Sequence, residues 1–445
     1  MGGEPRNAAG GGAVPLPPQD LALGPISAAL EPDESAKLFD EALADRVEGD
    51  LRVAHCRPIY IRYRPGRYCR VLYEVRFRDP ATGAATERLA HAALLRGDRA
   101  ERLWARGEPQ RLAERAAELH PGPPAARAAY VPTLRAIVQV YPVDLDLPGL
   151  VEAAAPEVMR ERLGDALAEG ALLEVEPELV RYKPRRRAVL RMRLEGGRRQ
   201  AVYAKVRADE RGALIHRSAV ALAAAGVPLA EPLGYLPDLR LMLASEVAGT
   251  GLRELRGSRR FAAAMEPVAE VLARLHACRP PDLATSEDAE AGELRSAAGT
   301  VAALLPSMST RVERLADRLI DRLAAADVPT GTIHGSFHDD QVLVSDGAVT
   351  LVDLDSVQRG PLLADVGHFL SYLSADGAEA AREAFLAAYA RHAATGSTVL
   401  LFEASSLLRW STLPFRELRP DWPEAVERRV ALAAARLDAY GASAA

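Results

Sequence analysis

Lysine and asparagine are almost missing from this chain. Of its 56 basic residues three are lysine (Lys37, Lys183 and Lys205), and asparagine occurs once, at Asn7. A chain that takes its positive charge from arginine makes each lysine informative, because a compact ammonium and a broad guanidinium serve a tight site differently. Cysteine is scarce too. Cys56, Cys69 and Cys278 are scattered, odd in number and without metal-ligand spacing, which excludes a disulfide framework and points to a reducing cytoplasm. No apolar run approaches the ~18 residues of a membrane span, so no membrane partner is expected. With 56 basic against 61 acidic residues the net charge is -5, and the basic footprint of a nucleic-acid binder is absent.

What is present is an ordinary globular composition, 49% hydrophobic over 445 residues, long enough for two or three domains. The opening "MGGEPRNAAGGGAVPLPPQD" lacks a charged start and an apolar core, so it reads as a Gly/Ala/Pro tail and not as a secretory signal. Residues 1–33 are expected to be flexible.

Beyond the tail, "CRPIYIRYRPGRYCRVLYEVRF" alternates apolar and polar residues on either side of Pro65-Gly66, the pattern of a β-hairpin. "VRYKPRRRAVLRMRL" (180–194) matches "IRYRPGRYCRVLYEV" (61–75) at a constant offset, pairing Arg62, Tyr63, Pro65 and Arg67 with Arg181, Tyr182, Pro184 and Arg186. An internal duplication accounts for this; two unrelated basic hairpins are the alternative. The second hairpin runs on into "QAVYAKVRADE", which places Lys205 in a third strand, whereas the first runs into "ERLAHAALLRGD" with no lysine. From about residue 250 the sequence turns helical. Strands first and helices later predict an α+β protein with two lobes. The expected divisions are a tail (1–33), an N-terminal domain (34–165), a small sheet lobe (166–250) and a helical lobe (251–445).

The stretch "TIHGSFHDDQVLVSDGAVTLVDLDSV" (332–357) concentrates polar chemistry. Its two apolar runs, joined by Ser345-Asp346-Gly347, predict a hairpin that puts His334 to Gln341 before its first strand and Asp353 and Asp355 after its second. Acids that directly follow a buried strand are costly unless a cation meets them. Spacing alone leaves two readings: ligands of a hard cation such as Mg²⁺, or caps of a following turn.

These segments together resemble the aminoglycoside phosphotransferase and choline kinase family. That family carries a loop of the form H-G-D-x-H-x-x-N, a hairpin, and then an I-D-[FLW] segment. Here they read His334-Gly335-Ser336-Phe337-His338-Asp339-Asp340-Gln341 and Val352-Asp353-Leu354-Asp355. "GPLLADVGHFL", with Asp365, and "VLARLHA" resemble further family elements over about 170–420. The resemblance implies a bilobal protein-kinase-like fold, preceded here by an extra N-terminal α/β domain that reads as a degenerate copy of the small lobe. It implies transfer of the γ-phosphate of ATP, with Mg²⁺, to a hydroxyl of a small molecule. Lys205 would hold phosphates and Glu246 would lie at the adenine-reading hinge; in the glycine-free turn "KPRRR" Arg186, with Arg185 and Arg187, would donate to phosphate, a solvated basic turn being the alternative. Asp353, with Gln341 in the asparagine position and Asp355 assisting, would hold the metal, while His334 and His338 would buttress the loop. Two positions depart from the family pattern. Ser336 replaces the hydroxyl-accepting aspartate, leaving Asp339 or Asp340 as replacement bases or as solvated loop acids, and His216 stands where a helix glutamate would pair with the lysine. A nucleotide-binding module without catalysis is the competing reading.

Overall fold

The computed structural model describes residues 14–43, 51–121, 127–168, 172–281, 283–285 and 289–443. Its first half contains two five-stranded antiparallel sheets. One comprises β1 (Arg52–Arg64), β2 (Tyr68–Arg78), β3 (Ala85–Leu95), β4 (Ala128–Val131) and β5 (Ala136–Val140). The other comprises β6 (Glu174–Lys183), β7 (Arg187–Glu195), β8 (Ala201–Arg207), β9 (Pro232–Leu236) and β10 (Leu241–Ser245). Their orders, β1-β2-β3-β5-β4 and β6-β7-β8-β10-β9, are the same, and each has a helical crossover between its third and fourth strands.

The match extends well beyond the hairpins. "DLAL" at 20–23 and "DLDL" at 144–147 fold alike: Ala22 N donates to Asp20 Oδ1 (3.0 Å) and Asp146 N to Asp144 Oδ1 (3.1 Å). Each aspartate then reaches its own sheet's hairpin. Asp20 Oδ2 accepts from Tyr63 OH (2.8 Å) and Gly66 N (2.7 Å), and Asp144 Oδ2 accepts from Tyr182 OH (2.8 Å) and Arg185 N (2.7 Å). Gly24 and Gly149 both abut the last turn of their sheet, where a Cβ would lie 2.1 Å from Leu134 O and 2.5 Å from Leu239 O. These shared details favour duplication over two unrelated hairpins.

Two expected limits shift. Residues 1–13 lie outside the described residues, but 14–30 are packed: Leu23, Ile26 and Leu30 enter the core, and Trp422 Nε1 donates to Pro15 O (2.8 Å). The Gly/Ala/Pro-rich composition concealed an apolar spacing that fits a buried face. The boundary expected at 165/166 falls inside the second unit, because Leu147, Leu150, Met159 and Leu163 share its core.

The remainder is the helical lobe. Its main helices are Arg259–Ala277, Ala289–Leu304, Ser309–Ala324, Leu362–Ala375, Glu379–Tyr389, Thr398–Arg409 and Trp422–Ser443. Short strands β11 (Thr250–Gly251), β12 (Thr330–Ile333), β13 (Val342–Ser345), β14 (Ala348–Leu351) and β15 (Gln358–Pro361) sit beneath the cleft. Helix Arg259–Ala277 forms where Ser258 caps it, accepting from Phe261 N (3.2 Å), and it buries Val268, Val271, Leu272 and Leu275 at helical spacing. The β13–β14 turn places Asp346 at φ 48° and Gly347 at φ 81°, the double positive φ of a tight hairpin.

The N-terminal unit is wedged between the other two parts. One face of its sheet (Ile61, Val71, Tyr73, Val75) shares a core with helices Ala289–Leu304, Ser309–Ala324, Thr398–Arg409 and Trp422–Ser443. The other face gives Leu72, with Ile59 and Leu89, to the core of the second unit. Among the described residues no helix is long and apolar enough to cross a membrane.

Candidate active site

The loop of interest leaves β12 and is anchored by one buried acid. Asp365, in the first turn of helix Leu362–Ala375, accepts from His334 N (2.6 Å) and Gly335 N (2.8 Å). Its Oδ2 also lies 3.1 Å from His276 Nε2, whose other nitrogen is 2.7 Å from Tyr389 OH. Gly335 makes the turn possible: φ is +75° and a Cβ would lie 2.3 Å from Ser356 O.

The hairpin that follows delivers Asp353 and Asp355 to the cleft. Asp353 adopts φ +64°, a left-handed conformation that Asp tolerates at a cost of roughly 1–2 kcal/mol. Lys205, on β8, meets both acids: its Nζ is 2.8 Å from Asp353 Oδ1 and 3.1 Å from Asp355 Oδ1. Arg187, the first residue of β7, reaches Asp353 Oδ2 at 2.8 Å and also pairs with Asp355. Arg207 completes the set, with Nη1 2.8 Å from Asp355 Oδ1 and Nη2 2.8 Å from Asp209 Oδ2. Burial alone would raise the Asp353 carboxyl, but Lys205 and Arg187 outweigh it and hold the group well below the usual carboxylate range. Burial and the neighbouring arginines push the Lys183 ammonium well below its ordinary value.

Lys205, Asp353 and Asp355, singled out in the sequence, thus converge from the two lobes. The other candidates are placed differently. Gln341 is buried with its Nε2 3.1 Å from His338 Nε2, so its side chain is engaged by the loop. His334 is buried, its Nε2 3.2 Å from Val352 O, and burial lowers its pKa. His338 stacks on Tyr372, ring centroids 4.7 Å apart. Ser336 is half-buried in the loop. Asp339 is 1% exposed and ion-paired with Arg256 (2.5 Å), and Asp340 meets Arg253 (3.1 Å). Burial would raise the Asp339 carboxyl, yet the neighbouring His338, 3.8 Å away, and the charge of Arg256 lower it, which makes it a weak base.

Glu246 directly follows β10, and its side chain pairs with Arg191 (2.6 Å). Arg186 turns toward the N-terminal unit, beside Tyr60, Arg62 and Arg70. There desolvation, then Arg62 and Arg187, pull its pKa down to about 10. His216 shows only a lowering by burial, and Glu210 pairs with Arg240 (3.0 Å), so neither is the partner of Lys205.

Of the two arginines that meet these acids, Arg187 was read from the sequence only as one of three turn arginines, and Arg207 was passed over. Arg207 stands two residues from Lys205 on one strand and therefore on the same face, a signal that was available. Asp353 and Asp355 supply carboxylate donors suited to Mg²⁺, which needs only one or two of them when phosphates provide other ligands. Among the described residues no group of three or more His, Cys, Asp or Glu could hold a metal unaided.

A family model described as "Phosphotransferase enzyme family" matches residues 177–399, half of the chain, starting within β6 and leaving the N-terminal unit outside. No curated protein matches the sequence. Similar solved structures include a choline/ethanolamine kinase family protein from Mesorhizobium loti, 18% identical with TM-score 0.46, covering 57% of this chain and 88% of its own. A choline kinase from Cryptosporidium parvum is 11% identical with TM-score 0.45, covering 59% of this chain and 88% of its own. An amicoumacin kinase, in complex with AMP-PNP, Ca²⁺ and Ami, is 14% identical with TM-score 0.45 and the same two coverages.

Proposed function

Because the chain belongs to the phosphotransferase enzyme family, we propose that it moves the γ-phosphate of ATP to a hydroxyl of a small molecule, a sugar, aminosugar or amino alcohol. The observation that carries this is the 2.8 Å contact between Lys205 Nζ and Asp353 Oδ1, two residues 148 apart in the chain that meet across the cleft. Lys205, Arg187 and Arg207 offer three cationic donors at the place where a triphosphate would enter, held meanwhile by Asp353, Asp355 and Asp209. On binding, phosphate oxygens take over as partners of Lys205, Arg187 and Arg207, and the carboxylates are released for a divalent cation. Mg²⁺ would there neutralise phosphate charge, held by Asp353 and Asp355. Phosphoryl transfer needs mainly positioning and charge neutralisation, which these residues supply.

Ser336 bears on the rate. A general base contributes ~10²–10⁴-fold, so a serine at this position slows transfer without abolishing it. The expected result is Mg²⁺-dependent turnover of ATP with a hydroxyl acceptor, lost in Lys205→Ala and in Asp353→Ala. Unchanged turnover in either variant would remove the site assignment.

A second reading, a nucleotide-binding module without catalysis, is favoured by one observation: the two acids nearest Ser336 are committed to Arg256 and Arg253. Ser336→Asp separates the two. Activity that appears only in that variant, across a broad acceptor set, identifies the native chain as a non-catalytic relative.

A further inference from the structure

A cavity of about 720 Å³ opens at the hairpin end of the N-terminal unit, away from Lys205 and Asp353. Six arginines line it: Arg67, Arg70, Arg99, Arg102, Arg106 and Arg185. Arg102 pairs with Asp98 (2.6 Å) and Arg185 with Asp146 (2.5 Å). The other four make no ion pair among the described residues, and the one remaining carboxylate on the wall is Glu108. Arg70 is the most enclosed of them. Its guanidinium lies 4.3 Å from the Tyr68 ring centroid, and its Nε is buried with no hydrogen-bond partner. A buried donor without an acceptor calls for a ligand or an ion.

The duplication shows what kind of place this is. In the second unit Arg187 opposes Arg207 and Val189 opposes Lys205, so these four residues share the face that carries the cationic cluster. In the first unit the same register pairs Tyr68 with Leu95 and Arg70 with Ala93. Tyr68, Arg70 and Leu95 line the cavity. The cavity is therefore the first unit's counterpart of the Lys205 site. Ala93 occupies the lysine's position, and the arginines of helix Arg99–Ala105 bring cationic charge from the crossover. The acids on its wall are Asp146, which is paired with Arg185, and Glu108.

We propose that this cavity binds a small molecule carrying two or more linked phosphate groups. Its volume lies within the range of small-molecule sites. Guanidinium forks match phosphate oxygens in pairs, and several unpaired forks in one cavity suit a compact polyanion better than a single carboxylate. The inference stands apart from the proposed reaction, because it uses neither Lys205 nor Asp353.

The test is calorimetric titration of the full chain with inorganic tripolyphosphate at physiological salt. The expected result is a saturable site that persists in Lys205→Ala, with one ligand per chain in that variant, weakened at least ~10-fold by adding Arg99→Glu/Arg106→Glu and by several-fold by Arg99→Lys/Arg106→Lys, which keeps charge but loses the fork. Lys205→Ala should leave this binding within about twofold of wild type, since additivity holds for distant sites. A parallel titration with ATP identifies the source: displacement of tripolyphosphate points to nucleotide-borne phosphate, and no displacement to a nucleoside-free ligand. No saturable binding at millimolar tripolyphosphate would overturn the proposal. Binding indifferent to the lysine pair, or abolished by Lys205→Ala and untouched by the glutamate pair, would overturn it equally.

Discussion

Arg185 sits at φ +59° in the second hairpin, at the position that Gly66 fills in the first. A left-handed arginine costs roughly 1–2 kcal/mol relative to glycine. It persists because Asp144 accepts from its backbone N–H (2.7 Å) and Asp146 holds its guanidinium (2.5 Å). His91 lies beside the same network. Its Nδ1 is 3.0 Å from Tyr182 OH, and burial, only partly opposed by Asp144, pushes its pKa down to about 4. The native state therefore holds His91 neutral, whereas the unfolded chain protonates it below about 6.5. Stability from this group is complete above pH 6.5 and is lost as pH falls through the window to about 4. Urea unfolding at pH 7.5 and at pH 5 should differ by about 2 kcal/mol from His91. A His91→Gln variant should show a correspondingly flatter pH dependence; an equal slope in both proteins would contradict the buried neutral imidazole.

At the scale of elements, the repeated unit is an aspartate clasping its own hairpin. Asp144→Ala would strand Arg185 N–H and leave Tyr182 OH with His91 alone, and Asp20→Ala would strand Tyr63 OH and Gly66 N–H. Each is expected to cost about 2–4 kcal/mol, well above an ordinary surface substitution, and chemical denaturation measures it. Costs below about 0.5 kcal/mol would mean that the clasps are incidental. Much of this level was legible. The hairpins, the third strand bearing Lys205 and the β13–β14 turn follow from alternation and from Gly and Asp punctuation, which act locally. The clasps were not read, because the "DLAL" and "DLDL" segments precede their hairpins by about 40 residues, and a short polar segment looks the same free or docked. The site divided along the same line. Lys205, Asp353 and Asp355 stood out by residue type and strand position. That Arg187 and Arg207 face these acids while Arg186 turns away depends on which side of a sheet packs inward, which register decides.

For the whole molecule, the N-terminal unit joins the lobes that border the cleft. Arg416, in the helical lobe, donates to Tyr60 OH (3.0 Å), while Arg186 of the second unit lies beside the same tyrosine. The cleft residues are thus held by contacts from three sides, and a ligand that enters must exchange charges and not merely fill space. A ligand that binds only the folded state raises stability by RT ln(1 + [L]/Kd). The most direct measurement is the melting temperature with millimolar ATP, with and without Mg²⁺, in the native chain and in Asp353→Ala. The expected result is a further rise on adding Mg²⁺ in the native protein that disappears in Asp353→Ala. No Mg²⁺-dependent rise in the native protein, or the same rise in both, would contradict a nucleotide–metal site at Lys205 and Asp353.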